Sequence, residues 1–112
     1  MYFRITIPAL QDGKKEEAIT FVKDKVMPEF DGTPGLISMT AAITGETSGI
    51  NMSAYENKEA SEAVAEKVQA TLAEAASFMA APPVIYEGEA VFGKVYQAVS
   101  YTHLRAHETI AD

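Results

Sequence analysis

Three groups of side chains in this sequence have types and spacings that could do chemistry. His103 and His107 stand at i, i+4, which on a helix puts two imidazoles on one face, as a metal pair requires. Glu87 and Glu89 stand at i, i+2, so an extended segment carries both carboxylates on one side, where one can raise the pKa of the other. The third group is spread over strand-like segments: Tyr2 and Arg4 at the start, Asn51, Ser53 and Tyr55 in the middle, and Tyr86 near the glutamates. An amide, a guanidinium and phenol hydroxyls gathered on one sheet face can hold an anion and stabilise negative charge as it develops.

The histidine pair drops out first. Residues Val99 to Thr109 resemble, over eleven consecutive positions, the in-frame translation of a transposase-type sequencing adapter, with Ile110-Ala111-Asp112 read on in the same frame. Both histidines lie inside that stretch, so residues 99–112 are set aside as a non-native tail and residues 1–98 are taken as the domain. Those 98 residues contain neither His nor Cys. A Ser-His or Cys-His nucleophile, a His-bound haem and a conventional zinc site are therefore not expected. Disulfides and iron–sulfur clusters are excluded with the cysteines. The chain of 112 residues is one domain in length, and its net charge of −7 opposes binding to nucleic acid. No apolar run approaches the ~18 residues of a membrane span. No signal peptide is evident, and a cytoplasmic location is expected.

Elements that would position the third group follow from periodicity. Phe3, Ile5 and Ile7 alternate with Tyr2, Arg4 and Thr6, the pattern of a strand with one apolar face. After a turn at Gln11-Asp12-Gly13, with Asp12 as a helix cap, Ala18, Ile19, Val22, Val26 and Phe30 form a helical stripe. Pro28 predicts that this helix ends or kinks just before it. A second strand spans Leu36 to Ile43, a hairpin connection Thr44 to Gly49, and a third strand Ile50 to Tyr55. Asn57 is placed to cap a long helix whose stripe is Ala60, Val64, Val68, Leu72, Ala75 and Met79. Pro82-Pro83 stops it, Val84 to Phe92 forms the fourth strand, and Gly93 begins a weak extension to Ala98.

The order is β-α-β-β-α-β, the α+β ferredoxin-like pattern: a four-stranded antiparallel sheet with two helices on one face. The helices are expected on the apolar side. Tyr2, Arg4, Ser38, Thr40, Asn51, Ser53, Tyr55 and Tyr86 are then expected on the side facing away. That mixed aromatic and polar face is poorly suited to water, and pairing it with a copy of itself predicts a homodimer.

The chain resembles the dimeric α+β barrel superfamily, and within it the antibiotic biosynthesis monooxygenase (ABM) domain proteins, from Met1 to about Phe92. Several segments carry the resemblance: the opening strand with Asp12-Gly13-Lys14-Lys15-Glu16-Glu17, then Thr33-Pro34-Gly35-Leu36, then Met52-Ser53-Ala54-Tyr55-Glu56-Asn57-Lys58-Glu59-Ala60, then Pro82-Pro83-Val84-Ile85-Tyr86-Glu87. It implies a small-molecule cavity in each protomer, between sheet and helices or within the barrel. It also implies a choice among cofactor-free oxygenation of phenols, haem degradation, quinol oxygenation and no reaction. Tyr55 stands where a Trp is common, the chain has no Trp, and the lack of histidine in residues 1–98 disfavours the haem branch.

For a cofactor-independent oxygenase, the residues take these roles. Asn51 is the donor to developing negative charge, Arg4 holds a phenolate or carboxylate, and Tyr55 donates a hydroxyl. Tyr2, Ser53 and Tyr86 line the ligand. No cofactor and no metal are expected. Structural roles stand beside these: a backbone-satisfying amide for Asn51, an ion pair with Glu87 or Glu89 for Arg4, and packing for the tyrosines. The functional alternatives are a non-catalytic dimer that binds a small hydrophobic ligand, and a structural or stress-linked protein whose barrel is filled with side chains.

Overall fold

The computed structural model describes residues 1–96, so the reading of residues 99–112 falls outside the described part of the chain. Four strands, β1 (Tyr2–Leu10), β2 (Leu36–Gly45), β3 (Ser48–Tyr55) and β4 (Met79–Glu89), form one antiparallel sheet in the order β2-β3-β1-β4. The two helical segments, one between β1 and β2 and the other between β3 and β4, lie on one face. This is the ferredoxin-like α+β arrangement expected from the periodicity.

Of the two outcomes expected just before Pro28, an end or a kink, the first helical segment does not end there. It runs through α1 (Lys15–Phe21), a π-helical turn (Val22–Val26) and α2 (Met27–Phe30) without stopping. In a regular α-helix the Pro28 ring would meet the carbonyl four residues back, and its missing N–H would break the ladder. The wider turn just ahead lets the chain pass, and Pro28 falls in the first turn of α2, where no N–H is needed. The extra turn delivers Phe30, which is buried. Asp12 does not cap α1, whose N-cap position is Lys14 with no side-chain hydrogen bond.

The second helical segment consists of α3 (Lys58–Ala63), a break at Val64, α4 (Ala65–Ala75) and a 3-10 turn (Ala76–Phe78). Asn57 caps α3 as expected, its Oδ1 accepting from the Ala60 amide at 2.8 Å. Gly35 at φ +78° lets the loop before β2 close on this helix start. A side chain there would bring its Cβ to 2.6 Å from the Ala60 Cβ. β4 begins at Met79, five residues earlier than expected, and includes Pro82-Pro83. The prolines are tolerated because β4 is an edge strand, and its pairing with β1 is irregular near Ala9.

One end of the sandwich is sealed. Leu10 of β1 packs with Ala18 of α1, Ala75 of α4 and Phe78, and Phe21 meets the Phe78 ring edge-on with centroids 5.3 Å apart. Leu10 belongs to the strand end, and its contacts establish which face carries the helices. Arg4 confirms it by bonding to α3. The expected assignment of faces is therefore reversed for Tyr2, Arg4, Asn51, Ser53 and Tyr55, whereas Ser38, Thr40 and Tyr86 lie on the side away from the helices as expected. Tyr2 pairs with Tyr55, Arg4 with Ser53 and Thr6 with Asn51, so these six side chains share the helix-covered face. Phe3, Ile5, Met52, Val84 and Tyr86 share the other, which nothing among the described residues covers. Alternation tells which residues share a face. It does not tell which face receives the helices when the polar side chains can satisfy one another indoors.

Candidate functional site

Arg4 organises the covered polar face. It sits at the third residue of β1, is buried, and reaches under α3. Its Nη1 donates to the Tyr55 hydroxyl at 2.8 Å, and its Nη2 donates to Ser61 Oγ at 2.6 Å and to the Ser61 carbonyl at 3.1 Å. The helix break at Val64 makes the last contact possible. Val64 has left helical geometry (φ −109°, ψ 11°), which leaves the Ser61 carbonyl turned toward the guanidinium at the end of α3. Helix C-terminal carbonyls carry partial negative charge and accept readily from a cation.

The expected ion pair between Arg4 and Glu87 or Glu89 is not formed. Glu87 lies directly across the ladder from Arg4. Its carboxylate instead accepts from the Tyr2 hydroxyl at 3.4 Å, and Glu89 lies 3.8 Å from the terminal amine of Met1. Among the described residues no carboxylate pairs with Arg4. A buried guanidinium balanced only by neutral acceptors keeps an unneutralised charge.

Tyr55 is 1% exposed and is the largest fully buried side chain. Its oxygen accepts from Arg4, so its hydroxyl hydrogen is left to donate, and among the described residues it donates to no protein group. Tyr2, beside it across the strand pair, is buried too. Burial first, then the neighbouring Glu87 carboxylate, holds the Tyr2 phenol above its ordinary pKa. Tyr2 therefore presents a neutral hydroxyl at neutral pH.

The remaining predicted residues divide. Asn51 and Ser53 share this face and are half-buried. Asn51 is four residues from Tyr55 along β3, about 14 Å at the rise of an antiparallel strand, so the amide and the Arg4–Tyr55 pair flank the face without touching. Ser53 stands between them. Met39, also on this side, and the helical residues Val64, Val68 and Leu72 are likewise only half-buried, so the layers do not close here as they do at Leu10. Tyr86 lies on the opposite face at 58% exposure and shares no ligand space with the other five. Ser61 was missed by sequence reasoning. It heads an inward series with Val64, Val68 and Leu72 at spacings of three and four, a signal masked by its polar type.

Two open depressions lie outside this cluster. One, about 350 Å³, is on the uncovered sheet face between Phe3, Ile5, Met52, Tyr86 and Gly88. The other, about 550 Å³, runs between α4 and β4 along Leu72, Ala76, Met79, Pro83 and Ile85.

No protein-family model matches the chain, and no curated protein sequence matches it. Solved structures do. A protein of unknown function from Nitrosomonas europaea, NE2512, superposes with a TM-score of 0.74 at 17% identity, over 87% of this chain and 95% of that one. A monooxygenase from the gene ActVA-Orf6 of Streptomyces coelicolor, in complex with nanaomycin D, gives 0.69 at 17% identity over 87% and 92%. The haem degrader MhuD of Mycobacterium tuberculosis, with two haems in its active site, gives 0.68 at 18% identity over 85% and 100%. Further matches at 8% to 20% identity are described as antibiotic biosynthesis monooxygenases, most of them as candidates. At these identities the likeness establishes the fold: the chain has the ABM-like ferredoxin fold.

Proposed function

We propose that the chain is a cofactor-independent monooxygenase of a small aromatic or quinone-like metabolite, working as a homodimer. The observation that carries the reading is the buried Arg4, paired with no carboxylate among the described residues and relayed through a Tyr55 hydroxyl that donates to no protein group among them. Such a pair favours an anionic oxygen, and a phenolate or enolate is the reactive form of an oxygenase substrate. An anthrone-type phenol reacts through its activated CH2 carbon. The carbanion passes electrons to O2, and one oxygen atom ends as the new C=O while the other leaves as water carrying both hydrogens. The residues bind and orient the anion: Arg4 and Tyr55 at one end of the face, Asn51 at the other, Ser53 and Tyr2 between and beside them. The lack of His and Cys in residues 1–98 supports chemistry without a metal or haem held by those ligands. The fold likeness to a monooxygenase in complex with nanaomycin D is consistent with the same class.

The dimer reading rests on the uncovered sheet face. Ile7, Met52, Val84 and Tyr86 are exposed on it, with Phe3 and Ile5 between them. A contiguous apolar face of this kind marks an interaction surface. Two such faces stacked about 10 Å apart would bury it.

A second reading, a non-catalytic dimer that binds a small hydrophobic ligand, is favoured by the apolar depressions, which Arg4, Asn51 and Tyr55 do not line. Oxygen uptake with a panel of hydroquinones and anthrone-like phenols, in the presence of chelator, separates them. The enzyme reading expects uptake that depends on Arg4. Saturable binding without uptake would replace it with the binding reading.

A further inference from the structure

Two carboxylates share the helix side of β4, and they are held differently. Glu89 stands across the ladder from Tyr2 and Glu87 across from Arg4. The terminal amine of Met1, 3.8 Å away, engages Glu89. Glu87 has no cation within ion-pair distance among the described residues, although its ladder partner is an arginine. Arg4 gives its donors to the neutral oxygens of Tyr55 and Ser61, and Glu87 accepts from the Tyr2 hydroxyl at 3.4 Å. A guanidinium–carboxylate pair would hold its carboxylate charged and use up its cation. Kept apart, the two groups leave one face with a cation for an anion and a carboxylate for a proton.

The Tyr2 hydroxyl joins these environments. Tyr2 is buried beside Tyr55, its partner across β1 and β3, whereas Glu87 is exposed. Among the described residues no protein group donates to the Tyr2 oxygen, so it can accept a proton while giving its own to Glu87. A contact of 3.4 Å is loose, as hydrogen bonds of proton transfer often are before the transition state forms. The oxygenation proposed above needs a proton to leave the substrate before electrons reach O2. Arg4, Tyr55 and Asn51 serve there as donors, and none of them takes that proton away.

We infer that Glu87 is the acceptor of the substrate proton, reached through the Tyr2 hydroxyl. The substrate C–H or O–H bond breaks toward the Tyr2 oxygen, and the Tyr2 O–H bond breaks toward Glu87 Oε1. The electron pair stays on the substrate as the anion that Arg4 and Tyr55 hold. Tyr2 ends neutral, as it began. Glu87 ends as the carboxylic acid, and water at its exposed carboxyl carries the proton off. The inference rests on the oxygenase reading for its substrate class, but proton removal is measurable without oxygen.

The experiment follows exchange of the activated CH2 hydrogens of anthrone in D2O buffer under nitrogen, by proton NMR with the uncatalysed rate subtracted. Oxygen uptake on anthrone is measured in air, and circular dichroism reports the fold of each variant. Glu87→Gln and Tyr2→Phe should each slow exchange by about 100-fold or more, the usual contribution of a positioned base. The double variant should be no slower than either. Glu89→Gln, at i+2 on the same face, should exchange at the parental rate. The charged groups facing Tyr2 and Glu87 are Lys58 and Glu62 of α3, Arg4 of β1, Glu89 of β4 and the Met1 amine. The pH profile is therefore read beside Glu89→Gln and Glu62→Gln. In the parent and in both of these, kcat for exchange should fall on the acid side as Glu87 takes up a proton. In Glu87→Gln that fall should be absent, with KM barely moved. Acetate should restore exchange to Glu87→Ala, and formate, a weaker base, should restore less, which a purely structural role would not give. Parental exchange in Glu87→Gln, or loss in Glu87→Ala that acetate does not restore, would overturn the proton route and leave the oxygenase reading standing on its uptake. Exchange without oxygen uptake would overturn oxygenation and keep the proton acceptor. A parent that neither exchanges nor takes up oxygen overturns both.

Discussion

The two faces of the sheet carry opposite chemistry and opposite environments. The helix-covered face bears Tyr2, Arg4, Thr6, Asn51, Ser53 and Tyr55; Arg4 and Tyr55 are buried and bonded to each other, and Asn51 and Ser53 are half-buried. The bare face bears Phe3, Ile5, Ile7, Met52, Val84 and Tyr86, and it stands open. In a monomeric sandwich the helices would take the apolar face, since burying it removes the most hydrocarbon from water. The reversal means that each face is built for a different partner. The polar face is matched to α3 through Arg4 and Ser61, and to whatever fills the half-closed space beside Asn51. The apolar face has no complement among the described residues. The proposed site and the proposed interface are therefore separable, and substitutions on the two faces should fail in different assays.

The largest expected effect tests the covered face as structure. Tyr55→Ala removes the largest fully buried side chain and strips Arg4 of an acceptor. A loss of about 3–5 kcal/mol in urea unfolding is expected, in line with buried aromatic truncations. Tyr86→Ala, measured at concentrations where the protein is monomeric, should change unfolding by no more than about 0.5 kcal/mol. Equal losses at the two positions would erase the distinction between the faces.

Next comes the covered face as chemistry. Asn51→Ala should keep the fold and the dimer, because the half-buried amide makes no hydrogen bond to a protein group among the described residues. It should lower turnover on any accepted phenol by about 100- to 1,000-fold, the usual cost of deleting one preorganised donor, or roughly 2.7–4 kcal/mol. Parental turnover in this variant would remove Asn51 from the mechanism and return it to a structural role.

This contrast also marks how far the sequence could be read. Element order was legible because 2.0- and 3.6-residue periods survive in short segments. The Asn57 cap was legible because capping is local chemistry. Two features were not. Passage of the first helical segment through Pro28 depends on a π-helical turn that no local pattern announces. Assignment of the faces depends on Ser61 and on the Val64 break, which together offer Arg4 two bonds beneath α3, beside the one that Tyr55 accepts. A charged residue on a strand reads as solvent-facing until its distant acceptors are known. Five of the six residues chosen for the site do share one face. Tyr86 does not, because tyrosine at an alternating position is equally suited to a water-excluded interface.

A smaller effect tests how the covered face is assembled. Asn57→Ala removes the acceptor for the Ala60 amide and should cost about 1 kcal/mol. The cap, four residues before Ser61, fixes where α3 begins, so this variant should also weaken the Arg4–Ser61 contact. A double-mutant cycle with Ser61→Ala should then show non-additivity. Strict additivity would mean that Ser61 is positioned by the sheet and not by the cap.

The smallest effect concerns protons. The Tyr2 phenol is held above its ordinary value of 10.0 in the folded protein, first by burial and then by the Glu87 carboxylate. The folded state therefore keeps this proton longer than the unfolded chain does. The resulting stabilisation is fully present below pH 10 and is lost as pH rises through the folded-state value. Lys15, raised by Glu46, and Lys25, raised by Glu29 and Glu74, act in the same direction above their ordinary value of 10.5, so alkaline destabilisation by itself does not single out Tyr2. Tyr2→Phe separates them. It removes the phenol from the covered face, keeps the ring, and leaves both lysines in place. Between pH 9 and pH 11 the variant should lose less stability than the parent, with the divergence beginning near pH 10. Parallel curves would mean that Tyr2 loses its proton as freely as in the unfolded chain, and that the covered face is open to water where Tyr2 meets Glu87.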